Sequence, residues 1–205
     1  MIYIDRPGTP GFWSEFKRKH NKLQYKELSD TEEGTELIRK LRGYNIGLQH
    51  GLCAYCCRSI DVDTSLNEHI KPQGKAEYAD LSMDYDNIVA CCRDKKTCSA
   101  NKKNVYDGQL FISPLGEDCE SYFKYSDNGE VFADTSEGEY TIRLLNLNSE
   151  KLCRARKATI KACNGYHDPE LVKKYYIDPQ EDGRIEAFTD VVRYYWKRGL
   201  LEKEG

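Results

Sequence analysis

Two cysteine pairs, Cys53/Cys56 and Cys92/Cys98, bracket the dipeptide Glu68-His69 and the single Asn87, with Asn101 and Lys102 just behind the second pair. For four thiolates to close on one ion, the chain between them must turn back on itself. The carboxylate, imidazole and amide that it carries are then confined to one small unit. Four thiolates make the closed tetrahedral site of a structural zinc rather than the open site of a catalytic one. Cys53-Ala54-Tyr55-Cys56 is a CxxC knuckle whose sulfurs can face one ion, and the longer Cys92–Cys98 loop can close on the same ion. A soft-ligand site and a harder oxygen-and-nitrogen site are therefore interleaved between Cys53 and Lys102.

The chain of 205 residues holds nine cysteines, an odd number, and two adjacent pairs, Cys56-Cys57 and Cys91-Cys92. Such spacing favours metal over disulfides. Cys57 and Cys91 adjoin the expected ligands and can compete for the ion, whereas Cys119, Cys153 and Cys163 read as small semi-buried hydrophobes. A CxxC can also be a thiol-exchange pair, but here it follows a helical pattern instead of opening one and so lacks the helix N-terminus that lowers a thiol pKa. The net charge of −3 excludes a general electrostatic sponge for nucleic acid and requires any phosphate-binding surface to be local or supplied by a partner. Mean hydropathy is −0.76. No apolar run approaches the ~20 residues of a membrane span. The segment from Met1 to Pro7 lacks the basic and apolar regions of a signal peptide. The expectation is a cytoplasmic chain without membrane contact.

The fold class expected is α+β: a metal-centred ββα core with a four-cysteine zinc site, flanked by N-terminal and C-terminal helices in a single domain over residues 1–205. Residues 1–51 read as helical after an irregular start, with Phe12, Trp13, Phe16 and Leu23 on one face, then Leu37, Ile38, Leu41, Tyr44, Ile46 and Leu48 on a second helix leading into Cys53. Residues 52–104 are the chemical segment: a knuckle and strand from Leu52 to Ile60, a second strand from Asn67 to Ile70, a loop at Pro72-Gln73-Gly74-Lys75, and a helix entered between Tyr85 and Cys92. Residues 105–148 form a β-rich extension, with short strands at Phe111–Pro114, Tyr122–Tyr125 and Glu130–Phe132 around the Asn128-Gly129 turn. Residues 149–205 are helical. Ser149 is an N-cap for a helix over 149–163 with Leu152, Ala155, Thr159 and Ala162 on one face. Asp168-Pro169 starts a short helix, and Arg184 to Leu201 is a terminal helix carrying Val191, Val192, Tyr195 and Trp196.

Glu68-His69 pairs two chemistries. A neutral imidazole is a general base at physiological pH. A carboxylate oxygen suits a hard divalent ion such as magnesium or manganese. Asn87 can bridge strand and loop backbones and fix the His69 segment. Arg93, Lys95, Lys96, Lys102 and Lys103 gather around the second cysteine pair, where they can contact phosphates. No base-reading helix-turn-helix or homeodomain pattern accompanies them.

Cys53-Ala-Tyr-Cys56, Asn67-Glu68-His69-Ile70-Lys71-Pro72, Tyr85-Asp86-Asn87-Ile88-Val89-Ala90-Cys91-Cys92 and Cys98-Ser-Ala-Asn-Lys102 together resemble the HNH (ββα-metal) endonucleases in their zinc-bound form. Downstream, Phe111–Leu115, Asp118-Cys119-Glu120, Asn128-Gly129-Glu130, Leu144–Asn148 and Arg154 extend the likeness to the PtuB-type nuclease subunits of Septu-type and retron-associated anti-phage systems, over roughly residues 35–160. The resemblance implies structural Zn(II) on Cys53, Cys56, Cys92 and Cys98, His69 as general base, Glu68 as ligand of a catalytic Mg(II) or Mn(II), and Asn87 as the structural asparagine. At Ser99 the sequence departs from the histidine or asparagine common in the family, so Ser99, a water or Asn101 is left to complete the catalytic metal site. The implied activity is divalent-metal-dependent cleavage of DNA beside an ATPase partner of the SMC/ABC-like PtuA type. A different class of reading keeps the same cysteines in a non-catalytic zinc adaptor that binds a protein partner.

Overall fold

In the computed structural model, which describes residues 1–166 and 168–200, the Glu68-His69 dipeptide ends one strand of a short antiparallel hairpin. Strand β1 (Ser65–His69) pairs with β2 (Ile88–Cys92), with Ser65 opposite Cys92 and His69 opposite Ile88. Helix α1 is Gly11–Lys19 and helix α2 is Glu32–Leu48. Helix α3 (Ser99–Lys102) follows β2 and completes a strand–strand–helix order. The helix expected from Tyr85 is instead a 3-10 turn, Tyr85–Asn87, that feeds β2. Ile88-Val89 are β-branched, and all five residues of β2 are buried on both faces, so burial and rotamer preference favour a strand there. Around the CxxC knuckle the expected strand reduces to one bridge, Leu52 opposite Ser59.

Thr31 caps α2, its side chain accepting from the Gly34 N–H. Glycine is required at position 34, because a Cβ there would lie 2.1 Å from the Leu28 carbonyl oxygen. Trp13, Phe16, Leu37 and Leu41 from the two helices pack with Tyr25, Leu28, Met83, Tyr85 and Ile88 into one apolar cluster. Side-chain amides fasten α2 to β2: Asn45 Nδ2 donates to Ile88 O at 3.3 Å, and Gln49 both donates to Ala90 O and accepts from Ala90 N at 2.8 Å.

The β-rich extension expected over 105–148 is mostly irregular. Strands β3 (Lys124–Tyr125) and β4 (Val131–Phe132) are two residues each, Phe111–Pro114 forms no strand, and a helix, α4 (Ser136–Leu144), fills the rest. Its signals are in the sequence: Thr135 accepts from Gly138 N, Glu137 and Glu139 lie in the first turn, and Arg143 lies in the last.

Helix α5 (Glu150–Asn164) buries Leu152, Arg156, Ile160 and Cys163, so its inward face is rotated from the expected Ala155, Thr159 and Ala162. Arg156 is the reason: its guanidinium donates to Gly129 O at 3.0 Å and Leu147 O at 2.8 Å beneath the β3–β4 turn. Ser149 occupies the N-cap position but makes no side-chain capping bond. Helix α6 (Pro169–Val172) starts where expected, with Asp168 accepting from Glu170 N. The terminal helix α7 (Thr189–Lys197) is shorter than the expected 184–201 span, and Leu201 lies outside the described residues. Ile185 N and Phe188 N are spent on His50 O and Cys57 O, and Phe188 sits at φ 61°, so helical winding starts only after it. Val191 and Val192 are buried, while Tyr195 and Trp196 are half-buried. Among the described residues, no helix is long and apolar enough to cross a membrane.

Candidate metal centre and catalytic site

Five thiols converge where the CxxC knuckle, the end of β2 and the start of α3 meet. Cys53 Sγ lies 3.8 Å from Cys91 Sγ and 3.9 Å from Cys98 Sγ, and Cys56 Sγ lies 3.9 Å from Cys92 Sγ. Four sulfurs held ~2.3 Å from one tetrahedral ion are separated by roughly 3.8 Å, so these spacings fit a soft divalent ion. Backbone contacts hold the knuckle: Cys53 N donates to Arg58 O, Ala54 N to Ala90 O and Cys57 N to Cys53 O. Cys98 has φ 54° and its N–H reaches Leu145 O at 2.8 Å, which turns its sulfur toward the others. The Cys92 thiol is drawn far below its ordinary value by the thiol donors of Cys53, Cys56, Cys91 and Cys98 around it. A thiolate ringed by thiols is the donor set of a soft cation site.

The sulfurs of Cys53, Cys91, Cys92 and Cys98 all lie within 4.8 Å of one another. Cys56, expected as the fourth ligand, stands beside Cys92, and Cys91 enters the group as a fifth thiol. The adjacent Cys91-Cys92 pair was the sequence signal for it. Cys57 takes no part, packing with Ile2, Leu52 and Ile185 in a separate cluster.

Pairing fixes the geometry of the second site, because His69 lies opposite Ile88 at the end of the hairpin away from Cys92. His69 is 5 % exposed, and its Nε2 is 2.8 Å from the Ser82 carbonyl oxygen. A carbonyl only accepts, so Nε2 carries the proton and Nδ1 is left with its lone pair free. Burial lowers the His69 pKa, the Ser82 carbonyl opposes this, and Lys102 adds to the lowering. Asn87 bridges two backbone segments: Oδ1 accepts from Lys71 N at 2.7 Å, while Nδ2 donates to Lys71 O and Leu81 O.

Glu68 reaches toward α3. Its Oε2 accepts from Ser99 Oγ and its Oε1 from Lys102 Nζ at 2.9 Å, and the same ammonium donates to His69 O at 3.0 Å. Of Ser99 and Asn101, Ser99 is the one beside Glu68. Asn101 Nδ2 donates to Leu144 O at 2.8 Å, toward the end of α4. Lys102, expected as a phosphate contact, is fully buried and both of its partners lie inside the fold. Glu68 Oε2 and Ser99 Oγ form an oxygen pair that can serve a hard ion, which characteristically keeps several waters and few protein ligands. Of the remaining basic residues, Arg93 is exposed with Nε on Ser65 O at 2.7 Å, and Lys95, Lys96 and Lys103 are exposed.

No family model matches the chain. A protein of Vibrio cholerae serotype O1 biovar El Tor, named as the HNH endonuclease of retron Vc95, is 34% identical over 175 residues, covering 78% of this chain and 83% of that protein. The Septu protein PtuA of Bacillus mycoides strain KBAB4 is 27% identical over 133 residues, covering 52% of this chain but 19% of that longer protein.

Proposed function

The chain belongs to the HNH endonuclease family, and from that premise we propose that it is a divalent-metal-dependent nuclease of an anti-phage defence system, with DNA as its substrate. The observation that carries this reading is His69: one ring nitrogen fixed by Ser82 O, the other free, next in the chain to Glu68, whose carboxylate is tied into α3. His69 Nδ1 takes the proton of the attacking water as general base. Asn87 and Ser82 hold the segment that carries it. Glu68 Oε2 and Ser99 Oγ would hold a catalytic Mg(II) or Mn(II), which would neutralise the charge developing on the phosphate and on the leaving sugar oxygen. Lys102 aims Glu68 by occupying its other oxygen.

A structural Zn(II) on four of the five converging thiols locks β2 to the knuckle. Arg93, Lys95, Lys96 and Lys103 supply phosphate contacts. A stretch related to this chain makes up a small part of the longer Septu protein PtuA. That supports a partnership with an ATPase of the PtuA type.

Supercoiled plasmid, single-stranded DNA and RNA, each incubated with magnesium, manganese, calcium or chelator, test the proposal. Cleavage of DNA that needs manganese or magnesium and disappears in His69→Ala is expected. Zinc content with no cleavage of any substrate would favour a binding adaptor built on the same cysteines.

A further inference from the structure

His69 is not oriented by the hairpin alone. Its second neighbour is Tyr25, from the 3-10 helix Tyr25–Asp30 between α1 and α2, outside the strand–strand–helix unit. The ring centroids lie 4.7 Å apart at 84°, an edge-on contact that fixes the plane of an imidazole as well as its position. Tyr25 is itself held. Its hydroxyl accepts from Asn67 Nδ2 at 2.7 Å, and the same amide donates to Ile38 O on α2 at 3.0 Å. Asn67 lies two positions before His69 on β1, so the two share a face of the strand while Glu68 points to the other. Trp13 packs behind Tyr25, with ring centroids 6.3 Å apart.

We infer that Tyr25 is a positioning residue for His69, so that the N-terminal helices build part of the catalytic centre. This rests on His69 being the general base. Ser82 O anchors one nitrogen but leaves the ring free to pivot about that bond. The edge contact from Tyr25 removes the pivot and aims Nδ1. The ring supplies the constraint and the hydroxyl secures the ring, which predicts different consequences for losing each.

The test compares Tyr25→Phe, Tyr25→Ala and Tyr25→Leu in the full chain at matched metal. Displacement of a catalytic group by about 1 Å can cost on the order of 10²-fold. Tyr25→Ala should therefore lose at least tenfold in kcat with KM little changed, while Tyr25→Phe should recover most of that loss. An independent readout is the mobility of the imidazole, from 15N relaxation of its ring nitrogens, with the His69 signals assigned by His69→Gln. Wild type and Tyr25→Phe should show a rigid ring and Tyr25→Ala a mobile one, with Nε2 still protonated against Ser82 O in all three. Tyr25→Leu fills the volume without a ring and should behave as Tyr25→Ala with zinc content and unfolding midpoint near wild type, which keeps the test decisive if the alanine variant is misfolded. Wild-type kcat in Tyr25→Leu, a loss carried by KM alone, or a ring equally rigid without Tyr25 would overturn the inference. If wild type cleaves no nucleic acid, the nuclease reading fails, and the relaxation comparison still decides whether Tyr25 orients the ring.

Discussion

Lys102 is the most exacting side chain in the catalytic site, because an ammonium with no exposed surface must find every partner inside the protein. It has two, Glu68 Oε1 and His69 O, and through them it ties α3 to the end of β1. Removing one member of a buried ion pair typically costs about 3–5 kcal/mol, since the other charge stays buried without compensation. Lys102→Ala should therefore lower unfolding stability by about 3 kcal/mol, read from urea midpoints. The exposed neighbour Lys103 should change stability by less than about 0.5 kcal/mol when replaced by alanine. Equal effects at the two positions would show that the buried pair is not formed. His69→Ala should cost about 10²- to 10⁴-fold in rate at matched metal while zinc content stays unchanged, and cleavage at the wild-type rate would remove His69 from its role as base. Glu68, His69 and Asn87 stand out as candidates from order and residue type alone. Lys102 was not, because lysine habit is exposure and nothing local in the sequence reveals that two acceptors await it. Asn101 and Ser99 are two residues apart on α3, and only the direction of that helix decides which of them faces Glu68.

The thiol cluster joins the hairpin to the knuckle, so a metal held there would couple its binding to the folding of this element. Cys53 and Cys98 belong to the converging thiols in either candidate ligand set, with Cys56 or with Cys91 as the fourth member. Cys53→Ser or Cys98→Ser should yield poorly folded protein, and wild type should carry about one zinc per chain by elemental analysis. Well-folded, zinc-free protein with all its thiols free would end this account. At the other end of the chain, α7 docks through Glu120, whose carboxylate meets Arg193 at 3.1 Å and Lys197 at 3.0 Å. Burial pushes the Glu120 pKa up, but Lys197 and Arg193 outweigh it and leave the value below the ordinary 4.5. A carboxylate held low in the folded state contributes stability above its unfolded value, and that contribution is lost as pH falls through the lowered one. The stability gap between wild type and Glu120→Gln, about 1 kcal/mol or less for a partly solvated pair, should thus be complete above pH 4.5 and shrink below it. A gap that widens in acid would contradict the assignment. The same packing explains which elements the sequence concealed. β2 carries a continuous apolar run that periodicity cannot tell from a buried helix, and its strand character comes from pairing with β1. The buried face of α5 follows Arg156, a residue whose two carbonyl partners lie in the β3–β4 turn and near the end of α4, distant in sequence.

Capture of a polyanion by a chain of net charge −3 depends on local basic residues, and burial of Lys102 removes one of the five counted near the second cysteine pair. Arg93, Lys95, Lys96 and Lys103 remain. Each phosphate neutralised contributes roughly 0.9 to the salt slope of duplex binding, so a footprint this small binds weakly at physiological ionic strength. In the terminal helix Val191 and Val192 are buried in the core and Tyr195 and Trp196 are half-buried, so its apolar stripe supplies no separate argument for a partner. The charge deficit therefore carries the prediction by itself. The isolated chain should cleave plasmid poorly, and addition of an ATPase of the PtuA type should raise cleavage at equal concentration and salt, with a shallow salt dependence for the chain alone and a steeper one for the complex. Comigration on gel filtration should accompany the gain. Vigorous cutting by the lone chain, with no complex formed and a salt slope that corresponds to many phosphate contacts, would mean that the basic residues counted here underestimate its own DNA-binding surface.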